Sequence, residues 1–148
     1  MYRFLLMICT LLFLLPGSQL LAGDSPQEQR HELMEQSKDA AKPVGGMLKG
    51  EMEFNAATAM ASFESWATVA GEFGKLFPEG TETGYDTEAK KEIWTDRAGF
   101  EVELAKFDEA VSRAIAANPQ SLDELKAAAG PVFKSCKSCH EAYRVEKE

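Results

Sequence analysis

The spacing of apolar residues constrains this chain more than anything else in it. From Asp24 onward they recur every three or four positions, and almost no segment alternates with the period of two that a strand requires. The first such stretch, predicted as a helix over 26–49, places Arg30, Leu33, Met34, Ser37, Ala41, Val44, Met47 and Leu48 on one side; Pro43 is expected to kink it and Gly45-Gly46 to weaken its last turns. The second follows Asn55, a good N-cap, carries the stripe Ala59, Phe63, Trp66, Ala70, Phe73 and Phe77, and ends at Pro78. After a loop over 78–85 a third helix is predicted over 88–117, stopped by Asn118-Pro119. The fourth opens at Ser121, with Glu124 placed for a capping box, and runs to about Val145 with Leu122, Leu125, Ala129, Val132, Cys136, Cys139 and Tyr143 in its stripe; 146–148 reads as a frayed end. Long amphipathic helices joined mostly by short loops have one economical arrangement. It is an all-α, antiparallel up-down-up-down four-helix bundle.

The rest of the chain narrows the class. Residues 1–22 open with Met-Tyr-Arg, continue with an unbroken apolar run from Phe4 to Leu15, and close on Leu21-Ala22, the layout of a secretory signal peptide. The run is shorter than the roughly 20 residues that span a bilayer, so no membrane anchor is expected. Removing 1–22 leaves 23–148 as a single exported domain with one basic residue fewer, and periplasmic localisation is expected. The whole chain already carries 24 acidic against 16 basic residues, a net charge of −8, with no basic run, and nucleic acid is therefore not a partner. Of three cysteines, Cys9 departs with the signal, so Cys136 and Cys139 are all that remain.

Those two belong to Cys136-Lys137-Ser138-Cys139-His140, the C-x-x-C-H pattern of c-type haem attachment. On a helix, positions three apart share a face, so both sulfurs can reach the two vinyl groups along one porphyrin edge, and His140 can come beneath the ring as proximal iron ligand. A redox dithiol would want its cysteines near a helix start in a βαβ setting, and structural zinc would want a fourth ligand. In an up-down bundle the start of the first helix, the end of the second, the start of the third and the end of the fourth meet at one end. Two residues there could supply a second axial ligand: Met34, on the inward stripe, and His31, one step off it. Phe73, Phe77, Ile93 and Trp94 should share that end, and Met47, Met52 and Met60 the opposite one.

With these residues in view, the chain resembles the cytochrome c′ superfamily, the class II cytochromes c. The likeness rests on CKSCHEAYR from Cys136 to Arg144, on RHELMEQSKDAAKPVGGMLKG from Arg30 to Gly50, and on Glu92-Ile93-Trp94-Thr95-Asp96. It implies a four-helix bundle with one haem c held through two thioether bonds. In the low-spin branch, the cytochromes c-556, a Met four residues after the position matching Arg30 ligates the iron, and Met34 stands there. The resemblance further implies that Arg30 lies by a haem propionate, where the alternative is an exposed first-turn Arg. Arg144 resembles the family's proximal-side Arg, its alternative being a cation favourably placed near a helix C-terminus. Pro43 with Gly45-Gly46 departs from the regular helix expected of the family.

The function implied is that of a periplasmic electron carrier with a six-coordinate His140/Met34 haem, exchanging single electrons with other redox proteins as monomer or homodimer. The alternative is a five-coordinate cytochrome c′-like protein that binds nitric oxide or carbon monoxide; a third reading is a helical interaction module without cofactor. No nucleophile-base pair, carboxylate pair or phosphate loop argues for an enzyme.

Overall fold

The computed structural model describes residues 25–146. The signal-peptide reading of 1–22 and the last two residues of the frayed-end reading lie outside them. The bundle consists of α1 Pro26–Lys49, α2 Ala56–Phe73, the short α3 Glu92–Thr95, α4 Arg97–Ala117 and α5 Leu122–Tyr143. Among the described residues the only β pairing is an isolated antiparallel bridge between Ala89 and Arg144.

Local chemistry sets most boundaries. α1 starts with a full capping box, the Ser25 hydroxyl accepting from the Glu28 amide at 3.2 Å while the Glu28 carboxylate accepts from the Ser25 amide at 2.7 Å. Pro26 follows as first helical residue, where a missing N–H costs nothing. The Asn55 and Ser121 side chains accept from Thr58 and Glu124 amides and open α2 and α5 as expected. Pro43 and Gly45-Gly46 do not end α1, which runs unbroken to Lys49. Burial of Val44, Gly46 and Met47 outweighs the lost hydrogen bond and the glycine entropy. After Gly50, at φ 75°, the chain folds back over Gly46, where a Cβ would lie 2.9 Å from the sulfur of the exposed Met52 side chain, which would have to shift.

Four boundaries differ from the periodicity. α2 stops at Phe73 and tightens into a 3₁₀ turn, Gly74–Leu76, before Phe77. The loop then extends to Lys91 rather than ending near Tyr85, and the third helix is broken at Asp96, whose φ of −124° and ψ of 57° are not helical. Asp96 caps α4 through the Gly99 amide at 3.2 Å and accepts from the Tyr143 hydroxyl at 3.1 Å, a contact made across 47 residues. α5 ends at Tyr143 rather than Val145, because the chain there turns into the bridge with 88–90. Leu122, placed on the inward stripe by spacing, is 42% exposed, since it sits in the first turn beyond the reach of the neighbouring helices.

α1 packs on α2 and α5, and α4 packs on α2 and α5, which closes a four-helix ring. The buried side chains form two clusters. One, around Val44, Met47, Phe63, Val111, Leu125 and Val132, fills one end and the middle. The other consists of Phe77, Ile93, Phe100 and Tyr143. Between them the bundle is hollow.

Candidate functional site

The hollow is a cavity of about 480 Å³, inside the range of small-molecule and cofactor sites, walled by α1, α2, α4, α5 and residues 85–89. Its lining is mainly hydrocarbon and aromatic, with Val69, Phe73, Phe77, Leu104, Phe107 and Phe133 prominent. α5 contributes Cys136, Cys139 and His140, and α1 contributes Arg30, His31 and Met34. Every candidate from the sequence, including the rim residue Arg144, thus borders one space.

The cysteines are partly buried and not joined to each other. Burial pushes both thiols up to about 11, and for Cys139 the Glu103 carboxylate adds to the effect. They are neutral thiols facing hydrocarbon, the opposite of the lowered thiolate that a dithiol-exchange enzyme needs. For His140 burial first and Arg144 second lower the imidazole below its usual range, against a smaller opposing pull from Glu88. A neutral imidazole is the metal-ligating form. Behind the cysteines the Ser138 hydroxyl donates to Glu103 at 2.6 Å, and Lys106 pairs with the same carboxylate at 2.6 Å.

Met34 lines the cavity from the α1 wall and is half-buried, whereas His31 is exposed at the mouth against the ring of Tyr85, 6.1 Å between centroids. The idea of Arg30 as an exposed first-turn residue fails: it is 5% exposed. One guanidinium nitrogen donates to the Leu76 carbonyl and the Thr81 hydroxyl at 3.2 Å, the other to the Thr81 carbonyl at 2.8 Å and the Thr87 hydroxyl at 3.4 Å. The guanidinium carbon lies 4.7 Å from the Phe77 ring centre. These contacts hold 76–87 to α1 against the cost of burying the charge. Arg144, by contrast, is half-exposed at the rim, with Glu88 3.9 Å away.

Of the residues placed at this end by bundle topology, Phe73, Phe77 and Ile93 line the cavity and Trp94 packs behind Phe77 at 5.6 Å; Met47 lies in the other cluster. Val69, beside the predicted stripe position Ala70, and Glu103 line the cavity without having been singled out, and so do two further groups. Phe133 lies beside the stripe position Val132, and that widening of the apolar face of α5 was its only signal. Residues 85–89 reach the cavity through Gly84, Tyr85 and Asp86, at φ 95°, 48° and 45°, a left-handed turn that spacing does not announce.

A family model described as Cytochrome C′ matches residues 25–144, which is nearly all of the described chain and its cavity. The chain belongs to the cytochrome c′ family. It is 40% identical over 121 residues to the cytochrome c′ of Rhodopseudomonas palustris, covering 80% of this chain and 81% of that one. To the cytochrome c-556 of the same organism it is 30% identical over 136 residues, covering 88% and 89%. The solved structure of cytochrome c′ from Rhodopseudomonas palustris superposes with a TM-score of 0.81 at 35% identity, over 85% of this chain and all of that one. Members of this family are haem c proteins, electron carriers or gas binders, and four-helix bundles.

The residues of this chain fit such a group on their own terms. Two neutral thiols, one imidazole and a largely apolar aromatic wall suit a flat apolar macrocycle bonded along one edge. The buried Nε of Arg30 has no hydrogen-bond partner, which leaves one N–H for an anionic substituent.

Proposed function

We propose that this protein is an exported carrier of single electrons, with one haem c held by thioether bonds from Cys136 and Cys139, and with His140 and Met34 as axial ligands. The observation that carries the reading is Met34, a thioether on the α1 wall of the same cavity that receives Cys136, Cys139 and His140 from α5. When bound, the haem supplies a one-electron iron couple. The protein's own residues determine how it can be used. Burial favours the neutral imidazole of His140, whose lone pair a metal can take; Met34 offers a soft sulfur, the combination that raises a potential relative to two imidazoles. The aromatic wall lowers the dielectric around the group it would hold. The unpartnered Nε of Arg30 and the rim position of Arg144 support the reading that these two side chains would face propionates.

Residues 1–22 support export to the periplasm, and no helix among the described residues is long and apolar enough to cross a membrane. Other redox proteins would then be donor and acceptor, the protein acting as monomer or homodimer, with no substrate turned over.

A second reading has its own support. Most relatives carry the name cytochrome c′ rather than c-556, and one similar solved structure is a nitric oxide complex of a mutant cytochrome c prime from Alcaligenes xylosoxidans. By name, the relatives favour a binder of nitric oxide or carbon monoxide, in which Met34 packs in the cavity without bonding. Absorption spectra of the haem-loaded protein, with and without carbon monoxide, separate the two. Low-spin bands in both oxidation states, no response to carbon monoxide, and their replacement by high-spin bands in Met34→Leu are expected. High-spin spectra of the parent with ready carbon monoxide binding would establish the gas-binding reading instead.

A further inference from the structure

One carboxylate on the cavity wall neither anchors the proposed haem nor ligates its iron. The residues that α4 turns toward the cavity are Phe100, Glu103, Leu104 and Phe107, at steps of three, one and three, so an acid interrupts an otherwise apolar stripe. Four acidic side chains border the cavity. Glu35 and Asp86 are exposed, the Glu88 side chain is 36% exposed beside Arg144, and that of Glu103 is only 15% exposed.

A charge so enclosed is costly unless it is paired. Each oxygen of Glu103 has its own donor: Oε1 accepts from the Lys106 ammonium at 2.6 Å and Oε2 from the Ser138 hydroxyl at 2.6 Å. Together they keep the group ionised. The donors differ in what they do to its charge. Lys106, one turn on along α4, is 57% exposed, so solvent screens much of its ammonium. Ser138 stands inside C-x-x-C-H, next to Cys139, and has no charge with which to cancel the carboxylate. After burial, the Glu103 carboxylate is the next cause of the rise in the Cys139 thiol, so its field reaches the edge of the cavity where the sulfurs lie.

We propose that Glu103 sets the reduction potential of the haem held in this cavity: it is a fixed negative charge on the α4 wall, beside the attachment edge, which favours the more positive, oxidised iron and which Lys106 partly offsets. The inference rests on the haem reading above, with or without a bond from Met34, and adds the residue that determines how readily the iron takes up its electron. Against an aromatic wall a unit charge acts farther than the same charge in water. Acidic side chains on the outer helix faces, screened by solvent and ions, act far less.

Spectroelectrochemical titration of the haem-loaded protein at neutral pH provides the test, read as the ratio of ferrous to ferric protein at one fixed ambient potential. Glu103→Gln, which keeps the shape and removes the charge, is expected to raise that ratio about tenfold. Lys106→Gln should lower it about two- to threefold, because it leaves the carboxylate without its counter-charge. Glu103→Asp should stay near the parent. Glu109→Gln makes the same change in net charge at a side chain of α4 that is 62% exposed, and should move the ratio less than about twofold. The opposite signs separate a charge from a brace: if Glu103 only tied α4 to α5, loss of either partner would loosen the same wall and shift the ratio the same way. Lys106→Gln alters an exposed side chain, so its sign decides the matter even where Glu103→Gln fails to fold. An unchanged or raised ratio in Lys106→Gln, equal shifts in Glu103→Gln and Glu109→Gln, or equal shifts in Glu103→Gln and Glu103→Asp overturn the inference. A preparation with no haem spectrum, or one that is not reversibly reduced by one electron, overturns the electron-carrier reading instead.

Discussion

The two ends of the bundle are built from the same four helices by the same periodicity, yet one is closed and the other hollow. Of the buried residues in the far cluster only Trp66 also lines the cavity; Val44, Met47, Phe63, Val111 and Leu125 fill their space completely. In the near cluster all four, Phe77, Ile93, Phe100 and Tyr143, border the cavity. Aromatic edges meet there at 4.9 to 5.3 Å along Phe77, Phe100 and Tyr143, forming one wall of the cavity. The far end is thus a core in the ordinary sense, stable by its own packing. The near end is a shell of side chains around the cavity, so a group bound there would add to its stability.

The largest effect that would break this contrast is at the cysteines. In Cys136→Ser/Cys139→Ser, haem is expected to be extracted completely by acidified organic solvent, whereas the parent should retain it; full retention by the variant would remove the covalent anchor from the account. Next comes packing. In haem-free protein, Phe63→Ala should cost about 3–5 kcal/mol by urea denaturation, since it opens a void in a filled core. Phe73→Ala should cost roughly half as much, because that ring already borders empty space, and loading with haem should narrow the gap. Equal costs in the haem-free state would mean that the near end collapses when empty.

Helix caps sharpen the comparison on a smaller scale. Asn55→Ala at the far end and Ser25→Ala at the near end should each cost about 1 kcal/mol by urea denaturation, the first in both forms of the protein, the second chiefly when the cavity is filled and α1 is docked along its length. The smallest effect concerns Glu103. Hydrogen bonds from Lys106 and then Ser138 hold its carboxyl below the usual range. A depressed folded pKa contributes stability that is present above the unfolded value of about 4.5 and lost as pH falls through the folded one. Glu103→Gln should therefore cost under about 1 kcal/mol at neutral pH, and the difference from the parent should fade in acid, as pH-dependent urea midpoints would register.

How much of the molecule was legible in the sequence depends on the range of each interaction. Ser121 and Asn55 cap helices through amides three residues away, and both starts were legible. The residues of C-x-x-C-H and Met34 lie on or beside inward stripes, so their meeting in one cavity could be read from spacing and bundle topology. The break at Asp96 depends on a hydroxyl 47 residues distant, and the stripe runs across it without a mark. Arg30 stands on the inward stripe, but the carbonyls and hydroxyls that hold its charge lie 46 to 57 residues away, in a loop whose conformation is set by left-handed residues, and spacing does not show them. The apolar pattern carries straight across Pro131, and so does α5.

The bridge that ends α5 gives the cavity a tempo. The Lys90 amide donates to the Tyr143 carbonyl at 3.0 Å and the Val145 amide to the Glu88 carbonyl at 2.8 Å, so the segment at the cavity rim and the residues just after α5 are stitched together. One helical turn back from Arg144 stands His140, whose carbonyl accepts from the Arg144 amide at 3.0 Å. The two bonds hold 88–90 and 143–145 together as one piece, so this part of the rim moves only when both open. Slow hydrogen exchange at Lys90 and Val145, both outside any helix, would be the signature of that latch.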